Sequence, residues 1–191
     1  HLSIRRQRQM CIRDSPYIYP LIRYWGKFVL YGTGFRIDYK KLVPLDPKEN
    51  YVFIANHTSI MDIMLMLTIL KHHPIVFVGK AELLKIPIFG RIFERICIPV
   101  DRKSARSKAL VYPEAKKKLD KNLSIFIFPE GGVTNDKEFK IYLDPFKDGA
   151  FNIAIETQTP LAVLAIHGVN KMFPFNWFRG CLLYTSDAAD E

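Results

Sequence analysis

The sequence predicts an α/β domain with a largely parallel or mixed sheet covered by helices, preceded by an amphipathic helical segment. Three observations carry this prediction. Short runs nearly continuous in Val, Ile, Phe and Leu recur along the chain, as in parallel strands covered on both faces. Helix-length material separates them. Polar clusters also follow three of the runs directly, where ligands bind in open parallel sheets.

In chain order, "PYIYPLIRYWGKFVLYGTGFRI" (16–37) comes first, rich in Tyr, Trp and Phe but broken by Arg23 and Lys27. It falls short of the roughly 20 apolar residues that span a bilayer. Its composition suits a helix lying in a membrane interface, and equally a peripheral helix packed on its own domain. The expected buried strands are 51–55, 75–79, 96–100, 124–128 and 161–166. The expected helices are 59–70, 82–94 with an interruption at Pro87, 104–121 and 147–157. Pro113 should kink or divide the third of these.

The 191 residues favour one domain, with 49% hydrophobic and 25% charged residues, a globular balance. The ends, "RRQRQMCIRDS" (5–15) and "CLLYTSDAADE" (181–191), resemble translated sequencing-adapter read-through, so 1–15 and 181–191 are set aside. This leaves a membrane-associating segment at 16–44 and a main domain at 45–180, expected to be truncated at both ends. The net charge of +9 survives that exclusion, because the two ends carry +3 and −3. A basic surface suits nucleic acid, anionic membrane or a phosphorylated small molecule. The aromatics fall in core-like runs, not on a stacking platform, which argues against nucleic acid. Cys97 alone remains between the ends, so no disulfide framework is expected and a reducing compartment is.

"ANHTSIMD" (55–62) places His57 in the loop beyond the first strand and Asp62 in the first turn of the next helix. With Ser59 as N-cap, Asp62 takes the position that completes a capping box. On a regular helix, residues five apart diverge widely, so the two meet only if His57 folds back over that first turn. An aspartate there fixes the imidazole tautomer and leaves the other nitrogen as a base. Helix capping explains Asp62 on its own, but the two roles are compatible. No nucleophile elbow is present, so such a base would act on a substrate hydroxyl. A thioester suits it, because a thiolate leaves without a strong general acid.

"FPEGG" (128–132) follows the fourth strand and sets Glu130 and Gly131 at the same edge; a Pro-Gly turn with a solvated glutamate is the alternative. "VGKAELLKIPIFG" (78–90) and "IPVDRK" (98–103) add Lys80, Lys85, Arg102 and Lys103, as phosphate-binding or simply solvated cations. The chain lacks the close ligand pairs usual for zinc, so no metal and no bound cofactor are expected.

Together these stretches resemble the glycerolipid acyltransferases typified by 1-acyl-glycerol-3-phosphate acyltransferase. The likeness spans about 45–170 and rests on Asn56, His57 and Asp62, on "GKAELLKIPIFG" with "IPVDR", and on Phe128 to Gly131. It implies the glycerol-3-phosphate acyltransferase-like fold and acyl transfer to the free hydroxyl of a lysophospholipid. By the resemblance, His57 is the base and Asp62 its orienter, while Asn56 belongs to the same substrate-binding set. Arg102, with Lys80, holds the acceptor's phosphate, and Glu130 and Gly131 shape its pocket. The donor is acyl-CoA or acyl-carrier protein, the partner a membrane lipid, and the location the cytoplasmic face of a membrane. Members often continue the third motif with Thr-Arg-Ser, where this chain has Gly132, Val133 and Thr134; in the fourth, Leu164 stands in place of proline. These departures bear on the acceptor: another lyso-lipid is one alternative. A thioester hydrolase and a non-catalytic module for anionic lipid are the others. The sequence does not fix acyl-chain length or oligomeric state.

Overall fold

The computed structural model describes residues 18–85, 90, 93–94, 97–133 and 143–169. The elements run α1 (Ile18–Gly32), β1 (Val52–Ala55), α2 (Met61–Ile69), β2 (Ile75–Lys80), a 3-10 turn (Ala81–Lys85), β3 (Cys97–Val100), α3 (Ala105–Leu119), β4 (Ser124–Ile127), α4 (Gly149–Thr157) and β5 (Leu161–Leu164). The sheet order is β3-β2-β4-β1-β5, and every pairing is parallel.

Alternation along the strands builds two cores. Phe53, Phe77 and Phe126 point to the face covered by α1 and α2. Val52, Ile54, Val76, Ile98 and Ile125 point to the face covered by α3 and α4, against Val111, Ala115, Ala150 and Ile153. Both sides of each central strand are therefore apolar, which is why the runs are continuous and not alternating.

The first helix is fastened from inside. Tyr19 donates its hydroxyl to the carbonyls of Leu70 and His73, 3.0 and 3.2 Å away. Burial keeps that phenol protonated far above its usual range. Arg23 turns inward to the Thr68 carbonyl near the end of α2, where a cation complements the helix dipole. Outward, Leu21, Tyr24, Trp25, Phe28 and Tyr31 stay exposed, Phe28 most of all at 78%. No helix among the described residues is long and apolar enough to cross a membrane.

Several local expectations are corrected. The second helix begins at Met61, two residues past Ser59, and its N-cap Ile60 makes no side-chain capping bond. The run 161–166 forms a strand only to Leu164. It is not buried: Val163 is 70% exposed, because only the Ala162 and Leu164 face of β5 packs against a core. The helix expected over 82–94 opens as a 3-10 turn, and most of its remainder lies outside the described residues. Pro113 does not divide α3. The residue faces solvent, so water can satisfy the Ala109 carbonyl that its missing N–H leaves free. The segments 1–15 and 181–191 lie outside the described residues.

Candidate active site

Two adjacent strands send the chain to opposite faces. β1 leads into α2 on one side, while α4, the next described helix after β4, covers the other. This divergence puts the topological switch point, where doubly wound sheets form their ligand crevice, at the carboxyl ends of β1 and β4. His57 follows β1 there, and Glu130 follows β4.

His57 folds back over the start of α2 and sets Nδ1 3.0 Å from Oδ2 of Asp62. The same oxygen accepts the backbone N–H groups of Thr58 at 2.6 Å and Ser59 at 2.8 Å. Asp62 is wholly buried. A carboxylate without water is costly, and the three donors on Oδ2, the Thr58 hydroxyl 3.5 Å from Oδ1 and the helix N-terminus offset that cost. An acceptor-only carboxylate assigns the imidazole proton to Nδ1 and leaves the Nε2 lone pair free. The His57 side chain keeps 14% exposure, and no described residue bonds Nε2. The expected capping box is half made: Asp62 reaches the Ser59 N–H, but the Ser59 hydroxyl accepts from Met61.

Neighbouring strands hold the histidine loop. Glu130 Oε1 accepts the His57 backbone N–H at 2.7 Å, and its other oxygen accepts that of Asp144 at 3.1 Å. The Phe128 ring lies flat on the imidazole, centroids 4.0 Å apart and planes 14° apart. Asn56 bonds both backbone groups of Ile166, at 2.9 and 2.7 Å, tying the end of β1 to the segment after β5. Both ends of the Asn56 amide are thus engaged in holding the loop.

The candidate cations share this edge. Lys80 ends β2 and lies 3.5 Å from Glu82, both half exposed. Arg102 follows β3, yet its guanidinium crosses to the loop after β4: a Cβ on Gly132 would stand 3.4 Å from Nη1. Partial burial lowers the pKa of Arg102, opposed by the charge of Glu82. Gly131 and Gly132 have φ of +89° and +148°, values that side-chain-bearing residues rarely adopt. Lys147, which the sequence did not single out, lays its ammonium against Gly131 where a Cβ would overlap it. Its backbone N–H bonds the Pro129 carbonyl at 3.1 Å. Phe128 was visible only as part of a motif; its stacking role depends on β4 lying beside β1, and the position of Lys147 on how the connection after β4 folds back.

Fold and crevice together place the chain in a class. It belongs to the Acyltransferase family, whose profile matches residues 36–167, well over half of the chain. Among its relatives is a chloroplastic 1-acyl-sn-glycerol-3-phosphate acyltransferase of Brassica napus, 28% identical over 156 residues, covering 81% of this chain and 43% of the relative. The 1-acyl-sn-glycerol-3-phosphate acyltransferase of Escherichia coli is 28% identical over 145 residues, 75% of this chain and 57% of that protein. A crystal structure of the 1-acyl-sn-glycerophosphate acyltransferase PlsC from Thermotoga maritima superposes with a TM-score of 0.65 at 26% identity, covering 84% of this chain and 62% of that one. The chain therefore spans about half the length of the curated relatives it matches.

Proposed function

We propose that the protein transfers a fatty acyl group from a thioester, acyl-CoA or acyl-carrier protein, to the free hydroxyl of 1-acyl-glycerol-3-phosphate, giving phosphatidic acid. The observation that carries this reading is the 3.0 Å contact between His57 Nδ1 and a buried Asp62, with Nε2 unengaged by the described residues. The names of the relatives support the acceptor class.

In this reaction Nε2 takes the proton of the acceptor hydroxyl as its oxygen bonds the thioester carbonyl carbon. Asp62, a positioning group, stabilises the imidazolium as it forms. When the tetrahedral intermediate collapses, the carbon–sulfur bond breaks and the thiolate takes the proton from Nε2–H. Glu130, Asn56 and Phe128 hold the ring in place; Arg102 and Lys80 supply positive charge for the acceptor's phosphate. The exposed aromatic face of α1 would rest in a lipid surface at the cytoplasmic face of a membrane, where the acceptor resides.

The test is thiol release from palmitoyl-CoA with and without lysophosphatidic acid, the lipid product read by mass spectrometry. Acceptor-dependent release with formation of phosphatidic acid supports the reading. Release independent of acceptor marks a hydrolase, and vesicle binding without turnover in the full-length protein marks a lipid-binding module.

A further inference from the structure

The Gly131–Gly132 loop joins the imidazole's support to a pair of cations. Glu130, one residue before it, holds the His57 backbone through Oε1, so the loop is fixed relative to the base. The Lys147 ammonium lies against Gly131 and the Arg102 guanidinium beside Gly132. Only a residue without a side chain admits the lysine so closely, and the positive φ of Gly131 makes substitution there strained as well. Lys147 is exposed and forms no ion pair among the described residues. Glu130, next to Gly131 in sequence, makes backbone hydrogen bonds to His57 and Asp144 and is not paired with Lys147. Position 133, next in the loop, is valine and adds no charge.

We propose that Lys147, seated over Gly131, binds the phosphate monoester of the acceptor and so selects phosphorylated over neutral glycerolipids. This inference rests on the acyl-transfer reading above. In a 1-acyl-glycerol-3-phosphate the phosphate is borne by the carbon next to the reacting hydroxyl. A hydroxyl at His57 thus keeps its phosphate within the same crevice, near the loop that Glu130 ties to that histidine. The donor's phosphates present the same chemistry, and the experiment separates the two sources.

The experiment compares the wild-type protein with Lys147→Met and Lys147→Arg, using palmitoyl-CoA and either 1-acyl-glycerol-3-phosphate or the neutral 1-acyl-glycerol. The Met variant should raise KM for the phosphorylated acceptor about tenfold, the size of one good charge-assisted contact. KM for palmitoyl-CoA and for the neutral acceptor should move less than twofold, and the Arg variant should recover most of the loss. Lys117→Met, on the far exposed end of α3, should change nothing. A second readout needs no turnover: glycerol 3-phosphate should slow modification of Lys147 by an amine-reactive reagent, and glycerol should not. A shift in KM for palmitoyl-CoA instead would assign the lysine to the donor and overturn the proposal. An equal loss with both acceptors would assign it a structural role and overturn the proposal as well. If acyl transfer itself is absent, protection by glycerol 3-phosphate still supports the site while the reaction fails, and its absence rejects the site.

Discussion

Asp62 holds His57 through the same carboxylate oxygen that binds the first backbone N–H groups before α2, so ring orientation and loop shape share one anchor. Replacing it by asparagine should therefore do two things at once. An amide no longer compels the proton onto Nδ1, and kcat should fall by about 10³-fold or more. The N–H groups of half-buried Thr58 and buried Ser59 also lose a charged acceptor, at about 1–3 kcal/mol. Steady-state kinetics and urea denaturation of Asp62→Asn check the two effects separately.

Glu130 contacts the site through backbone groups, which predicts a distinctive kinetic pattern. Glu130→Gln keeps one carbonyl oxygen to accept from His57 and should retain more kcat than Glu130→Ala, which leaves that N–H unsatisfied. KM for the acceptor should change little in either variant. A large rise in KM with kcat intact would instead make Glu130 a direct substrate contact.

The Asn56 clamp should be chiefly structural in its energetics. Asn56→Ala removes two bonds to Ile166 and should cost about 2 kcal/mol of stability, read as a lower denaturant midpoint at unchanged slope.

The histidine-rich turn before β2 gives a pH dependence. His73 is buried between the rings of Tyr51 and Phe53, and burial lowers its pKa below the ordinary histidine value. The unfolded chain then takes up the proton first as pH falls. Its contribution to stability is complete above about pH 6.5 and is lost progressively below it, toward the folded-state value. Denaturant midpoints at pH 7.5 and 5.0 should differ more for the wild type than for His73→Phe.

The proposed docking of α1 on a membrane makes a further prediction. Phe28, 78% exposed, lies in the aromatic face with Leu21, Tyr24, Trp25 and Tyr31. Phe28→Glu should weaken binding to anionic vesicles about tenfold, since a buried phenylalanine is worth about 1.5–3 kcal/mol. Sedimentation with phosphatidylglycerol vesicles measures it.

What the sequence revealed follows from how local each feature is. Strands β1 to β4 were legible because both their faces are buried, which makes Val, Ile and Phe continuous. The same pattern misled at β5, where Ala162 and Leu164 pack against one core but Leu161 and Val163, on the opposite face, stay outside the other. His57 and Asp62 are five residues apart, so the spacing allowed the pair if the loop folded back, and the motif resemblance singled it out. The Glu130 support comes from 73 residues away and the Ile166 anchor of Asn56 from 110. Such contacts depend on β1 lying between β4 and β5, an order that no local pattern encodes. Lys147 was missed for a different reason: it meets Gly131 because the connection between β4 and α4 folds back on itself, through the Lys147 N–H to the Pro129 carbonyl, and no motif marks that return.

The most direct measurement is the acyl-transfer rate of His57→Ala with palmitoyl-CoA and lysophosphatidic acid, its fold checked by circular dichroism. The account predicts a native spectrum and a kcat lower by about 10³-fold or more, the scale for losing the base at such a site. Transfer within tenfold of the wild-type rate from a folded His57→Ala protein would contradict it.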